Sequence, residues 1–371
     1  MTVADLILIL IRGVGSRTVA HLVNTFGSAE AVLSASVDDL VERAELRPDV
    51  AKLILSNDVR GAACEQIAYC KRNNIEILAA TDANYPALLR ETPDRPHVLF
   101  VQGNIEALSA NTLAMVGTRE MTPSGATVCN RLVEGLSQSV DNLCIVSGLA
   151  YGVDAASHRA ALSHGVNTVA VLASVLPNIT PAPHRALAND IIANGGAIVS
   201  ELHTNIRQNG TYFVARNRIV AGLSYGTLVV ESPASGGSLI TAECALDYGR
   251  TVMAVPGRAF DKNSFGSNLL IKQNKAAMVC SGGDIVYELG WDVTHTEEAT
   301  LSPTAAPTET INFEGDERVL LEAMGVNEVV EYEVLVGRTG FAPQRIVSLL
   351  TGLELCDAVR ILPGRKCERI I

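Results

Sequence analysis

The chain has 371 residues, 48% of them hydrophobic and 19% charged, with a formal net charge of −11 and a pI near 5.2. That length accommodates two or three domains. The acidic balance excludes a protein that coats duplex DNA with its whole surface. It leaves room for one local basic site, because phosphates respond to charge within a Debye length of about 8 Å.

Residues 1–75 are predicted helical. Leu6, Ile7, Leu10 and Ile11 fall at helical spacing until Gly13-Val14-Gly15 breaks the run. A second helix carries Val19, Leu22 and Val23 and ends at Phe26-Gly27. Helix, Gly-x-Gly, helix is the form of a helix-hairpin-helix. Only Arg12 and Arg17 stand beside it, so the hairpin reads as scaffold rather than as a DNA grip.

From 76 to 292 short apolar runs alternate with amphipathic stretches. The runs at 112–116, 143–147, 168–172, 197–200, 227–230 and 251–255 are rich in Val, Ile, Leu and Ala. Strands buried on both faces have this composition. Stretches 153–163 and 239–248 are predicted helices. The alternation predicts an α/β fold, a Rossmann-like doubly wound parallel sheet with right-handed crossovers.

Residues 293–310, which end THTEEATLSPTAAPTET, carry no large apolar stripe and read as a flexible linker. The last block, 311–371, offers helices at 316–324, 330–339 and 343–355. Strands at 358–362 and 367–371 flank Pro363-Gly364, the order of a small winged-helix-like domain. This block holds seven Lys/Arg against ten Asp/Glu, a net charge of −3. Contact with protein rather than with a DNA groove is expected of it.

None of the eight cysteines forms a Cys-x-x-Cys pair, and no histidine stands beside them at zinc-ligand spacing. No metal or cofactor is expected, and the cysteines read as buried free thiols in a reducing cytoplasm. No segment reaches the roughly 18 apolar residues of a membrane span.

Ligands of a doubly wound sheet bind beyond the carboxyl ends of its strands. The residues that follow the runs therefore carry the argument. Gly117-Thr118-Arg119 follows the first run, and Ser147-Gly148 opens a turn reaching Asp154 after the second. Glu231 to Ser238 follows the fifth, and Pro256-Gly257-Arg258 the sixth. Such turns let backbone amides approach an anion at helix N-termini. One alone serves chain reversal equally well; four on one face, one bearing Arg119, point to phosphate. None matches G-x-G-x-x-G or G-x-x-x-x-G-K-[ST], so neither dinucleotide nor P-loop binding is indicated.

Phe213, Arg216 and Arg218 stand at the start of a later helix. The two arginines diverge, so one faces the sheet top while the other anchors a loop or a subunit contact. Phe213 either stacks a base or packs at the helix entry. Asp154, four residues before His158, reads as a first-turn acid favouring its helix dipole. Glu201 and Glu231 end two strands without a nucleophile or metal triad, and are expected to bond neighbouring turns.

Together these segments resemble the DprA/Smf family. The matching stretches are VGTRE (116–120), VSGLAYGVDAASHRAAL (146–162), GGAIVSE (195–201), FVARNRIVAGLS (213–224), VVESPASGGSLITAECALDYGR (229–250), AVPG (254–257) and SFGSNLLI (264–271). The resemblance implies a homodimeric, non-enzymatic protein. It would bind incoming single-stranded DNA, protect it and load RecA recombinase during natural transformation. Carried onto matching positions, the DNA-gripping residues are Gly117, Thr118, Arg119, Ser147, Gly148, Phe213, Arg216 and Arg218. Two places depart from the family. Residues 173–181 replace a Gly-rich turn leading to Tyr-Pro, and Lys275 stands where glycine is expected. The alternative is an enzyme similar to the nucleoside-monophosphate phosphoribohydrolases. Those use Pro-Gly-Gly-x-Gly-Thr with a following catalytic Glu, whereas Pro233 to Ser238 here is followed by Leu239-Ile240-Thr241.

Overall fold

The computed structural model describes residues 1–56, 58–206, 209–291, 315–325, 329–355, 358–362 and 364–369. The chain forms two compact units, Met1–Thr296 and Glu297–Ile371. The stretch 293–310 expected as a linker lies outside the described residues.

Six helices open the first unit: Val3–Leu10, Ser16–Phe26, Ala29–Ser34, Val37–Arg43, Pro48–Ser56 and Arg60–Arg72. Capping boxes start two of them, Thr2 with Asp5 and Ser36 with Asp39, which satisfies amides that a helix leaves free. Leu6, Ile11, Leu22, Leu40 and Ile54 form their core. Asp5 also reaches the next block, where its carboxylate meets His97 Nε2 at 2.8 Å with both side chains buried.

Nine strands follow in one sheet: β1 (Glu76–Ala79), β2 (Val98–Gly103), β3 (Asn111–Val116), β4 (Leu143–Ser147), β5 (Asn167–Val171), β6 (Ala197–Ser200), β7 (Gly226–Val229), β8 (Thr251–Ala254) and β9 (Ala277–Met278). Their order is β1-β2-β6-β5-β4-β3-β7-β8-β9. From β6 to β9 every neighbouring pair is parallel, with Ala114 of β3 opposite Val146 of β4 and Val116 opposite Val229 of β7. The hairpin β1–β2 joins the β6 edge antiparallel.

The six apolar runs are β3 to β8. Ala114, Val116, Cys144, Val146 and Val169 fill the core on one face, and Leu113, Met115, Leu143, Ile145 and Leu228 the core on the other. Alternate residues point to opposite faces of a strand, so burial on both sides produces an unbroken apolar run.

The second unit has helices Asp316–Glu322, Tyr332–Thr339 and Pro343–Leu355. Its sheet is β10 (Val329–Glu331), β11 (Val359–Leu362) and β12 (Lys366–Arg369), in order β10-β12-β11. The helix expected at 330–339 begins only at Tyr332, because Val330 pairs across β12 with Cys367. Leu320, Leu335, Ile346 and Leu350 are its core.

The seven described cysteines are free thiols. Cys70, Cys129, Cys144 and Cys367 are buried as expected, Cys244 is half-buried, and Cys64 and Cys280 are exposed on the outer faces of a helix and a loop; Cys356 lies outside the described residues. No group of His, Cys, Asp and Glu among the described residues has the arrangement of a metal site. No described helix is long and apolar enough to cross a membrane.

His158 makes the unit sensitive to acid. It lies fully buried in helix Val153–Ser163. The Thr168 hydroxyl donates to the Ile145 carbonyl at 2.7 Å and so accepts from His158 Nδ1 at 2.7 Å. Nε2 has no partner. Burial, with the charges of Arg216, His184 and Arg159, pushes its pKa down to about 3. Unfolded chain takes up this proton below about 6.5 and folded chain does not, so stability falls as pH drops below that value. Buried Asp154 and Glu201, whose pKa values are raised, act in the opposite sense. The histidine's share is therefore read as a difference. Between pH 7 and pH 5 the parent should lose about 2 kcal/mol more than His158→Gln in urea unfolding. Equal losses would contradict the assignment.

Candidate functional site

The sheet reverses direction between β3 and β7. β3 leads outward through β4, β5 and β6, and the chain then returns to add β7, β8 and β9 on the other side. The crevice of such a fold lies at this switch point, beyond the carboxyl ends of the two strands. An opening of about 750 Å³ is found there.

Gly117-Thr118-Arg119 forms one wall. Thr118 N–H donates to the Glu231 carbonyl at 2.7 Å, and its own carbonyl accepts from Val153 N–H at 3.1 Å. The turn is thus tied both to the strand across the switch point and to the helix after β4. Glycine is required at 117, since a β-carbon there would stand 2.4 Å from Val153 Cγ2 and 2.7 Å from the Glu231 carbonyl.

Arg119 projects from this turn into solvent, and among the described residues no carboxylate pairs with it. Its guanidinium carbon lies 5.9 Å from the centroid of the Phe213 ring, a cation–π contact. Phe213 is half-buried in helix Thr211–Gly222, which also carries Arg216.

Arg216 is buried beneath them, at 7% exposure. Its Nη1 donates to the Val171 carbonyl at 3.0 Å, at the end of β5, while Nε has no partner. Burial lowers its pKa; Asp154 opposes that effect and Arg119 adds to it. Three cations, Arg119, Arg216 and Lys262, therefore line one opening whose buried acid is Asp154. Asp154 accepts from Ala150 N–H at 3.3 Å, and its pKa is raised by burial against the pull of Arg216. Asp154 thus balances Arg216 in addition to sitting at its helix start. Gly148 makes room for the guanidinium: a β-carbon there would lie 1.4 Å from Arg216 Nη1. Ser147 is fully buried below, its hydroxyl donating to the Met115 carbonyl at 2.6 Å.

Of the eight expected residues, the structure brings Gly117, Thr118, Arg119, Phe213 and Arg216 to the opening, with Ser147 and Gly148 supporting from beneath. Arg218 goes elsewhere. It pairs with Glu201 and donates to Ser16 Oγ at 3.3 Å, lining a separate cavity of about 950 Å³ beside the Gly13-Val14-Gly15 hairpin. Positions two apart on a helix point about 200° apart, so only one arginine can face the opening. Glu231 is also occupied: it accepts from Thr122 N–H at 2.9 Å and from the Thr122 hydroxyl at 2.5 Å.

Residues 173–181 turn towards the N-terminal helices. Leu176 and Ile179 join that core, and Tyr69 Oη donates to the Leu176 carbonyl at 2.9 Å. Lys275 is exposed just before β9. Asn217, Lys262 and Asn263 line the opening without having been expected. Asn217 Nδ2 donates to the Gly237 carbonyl at 3.1 Å and braces the glycine turn after β7. Lys262 and Asn263 reach the opening through the fold of the loop that follows β8, which ends at Ala254, and no sequence signal marks them.

The sequence model of DNA recombination-mediator protein A matches residues 76–290, and that of the DprA winged helix domain matches 300–365. Protein Smf from Escherichia coli is 34% identical over 299 residues, covering 80% of this chain and 78% of that one. Among solved structures, DNA processing protein A from Streptococcus pneumoniae superposes with a TM-score of 0.67 at 30% identity, covering 78% of this chain and 98% of that one. DNA processing protein A from Helicobacter pylori, solved for its single-stranded DNA binding mode, gives 0.51 at 26% identity, covering 58% and 95%.

Proposed function

Because the chain belongs to the DNA recombination-mediator protein A family, we propose that it grips single-stranded DNA at the β3–β7 opening, protects it and passes it to RecA recombinase in natural transformation. The observation that carries the reading is the group of Arg119, Phe213 and Arg216: a guanidinium with no carboxylate partner among the described residues, over an aromatic ring, and a second, buried guanidinium. A fork of N–H donors suits phosphate, and a ring beside it suits an unpaired base. Duplex DNA offers no free base face, so single strands are preferred. The reading contains no catalytic step, since Thr122 holds Glu231 and Arg218 holds Glu201. Gel-shift titration with single-stranded and duplex oligonucleotides tests it; equal affinity for both would overturn it.

The same reading includes a homodimer in the cytoplasm. Strand β9 ends the sheet, and Met278 on it is 58% exposed. An apolar sheet edge of this kind favours pairing with a second copy. Light scattering of a chain ending at Trp291 should give twice the monomer mass; a strict monomer at micromolar concentration would contradict it.

The acidic C-terminal block is assigned to protein contact. Deleting 311–371 should leave single-strand affinity within a few-fold of the parent. A larger loss, measured by anisotropy, would place the turn at Arg365 and Lys366 on DNA.

A further inference from the structure

The turn after β8 carries a ring that the opening does not use. Phe260 is 100% exposed. It lies within Arg258-Ala259-Phe260-Asp261-Lys262, with a cation two residues to either side.

This turn is built rather than loose. Asp261 N–H donates to the Arg258 carbonyl at 3.2 Å, and Ser264 N–H to the Asp261 carbonyl at 3.0 Å. The Asn268 side chain makes two bonds of 3.0 Å with the Gly257 backbone. Asn263 Nδ2 donates at 2.7 Å to the carbonyl of Glu120, the residue next to Arg119. The backbone that carries the exposed ring is therefore tied to the same wall as the Arg119 turn.

Arg258 and Lys262 line a second opening of about 970 Å³, at the start of helix Pro123–Ser139. Lys262 and Asn263 line both this opening and the one between β3 and β7, so the two share a wall. Two acids also line it. Glu231 is occupied by Thr122, which leaves Asp261 against Arg258 and Lys262.

We infer that Phe260 is a second base-stacking platform: a single strand held at Arg119 and Phe213 continues past Lys262, sets phosphates against Arg258 and Lys262, and stacks a base on Phe260. The inference rests on the reading of the β3–β7 opening as a single-strand site. Every base has a face to stack, so the platform is indifferent to sequence, and the flanking cations supply the phosphate attraction.

The test titrates oligothymidylates of about 5 nucleotides, near the short end of common single-strand site sizes, and about 20, beyond the long end, against the full chain and Phe260→Ala. By anisotropy, Phe260→Ala should bind the long oligonucleotide at least about fivefold more weakly and the short one as the parent does. Its thermal unfolding should match the parent, because the ring is already in solvent. Phe260→Trp should keep the parent affinity, and its indole emission, taken against the Trp291 background, should be quenched by the long oligonucleotide. Unchanged affinity for the long oligonucleotide overturns the inference. So does an equal loss at both lengths, and so does a loss of self-association with DNA binding intact, which would make the ring a protein contact. The two readings fail separately. If Arg119→Ala weakens binding while Phe260→Ala does not, only the extension falls; if Arg119→Ala also has no effect, the first site is misplaced.

Discussion

Gly148→Ala is expected to lower single-strand affinity at least about tenfold and to reduce thermal stability by on the order of 10 °C. The new β-carbon would stand 1.4 Å from Nη1, 2.2 Å from Cζ and 2.3 Å from Nη2 of Arg216. Only displacement of the guanidinium relieves this. Displacement breaks its bond to the Val171 carbonyl and leaves Asp154 buried without its compensating charge. The guanidinium then loses its bond to Val171 and the favourable charge of Asp154, and it is one of the cations proposed to face the strand. Calorimetry and anisotropy on the same sample read both effects. The double variant Gly148→Ala with Arg216→Ala has no collision to relieve, so its stability loss should be smaller than the sum of the single losses, with no recovery of binding. A Gly148→Ala protein with parental melting and affinity would show that the pocket under Arg119 does not need Arg216 in place.

Arg119→Ala and Phe213→Ala should separate charge from stacking. The chain is acidic overall, so the grip works against a repulsive background and must weaken with salt. Each single-strand phosphate neutralised contributes about 0.7 to the slope of log affinity against log salt. Arg119→Ala should lower the slope by about that share and weaken every sequence alike. Phe213→Ala should cost about 1–3 kcal/mol with little change of slope. It also removes the ring over which Arg119 rests, so some extra loss through a freer guanidinium is expected. Titrations across a salt series decide the matter. If Arg119→Ala keeps the parental affinity and slope, Arg119 does not hold phosphate.

The central sheet was legible because its chemistry is local. Strands β3 to β8 are buried on both sides, so each had to be an apolar run, and observed bounds differ from the predicted runs by no more than a residue. The hairpin β1–β2 and the three-residue β10 were not legible. Glu76 and Ile77 of β1 are exposed and half-buried, and β10 exists only through pairing with β12. Long-range pairing of short, mixed segments leaves no periodic trace. At the site, the turns after β3, β4 and β7 could be read from glycines and Arg119. The division of labour between Arg216 and Arg218 could not, because divergence is set by spacing but the phase of the helix is set by what packs around it. Lys262 escaped notice for a related reason: it belongs to the opening through folding of the loop after β8, not through adjacency to a strand end.

Helix Thr211–Gly222 is shared property. Phe213 and Arg216 face the opening, while Arg218, one side of the helix away, clasps Glu201 and Ser16 at the mouth of the N-terminal hairpin. A rigid rod pinned at both places cannot shift at one without straining the other. If a strand occupies the opening as proposed, any effect it has on the hairpin through this helix must be returned in equal measure by the hairpin to the strand, because linkage is reciprocal. The N-terminal helices would then bear on strand affinity through Arg218, by way of Ser16 and the hairpin.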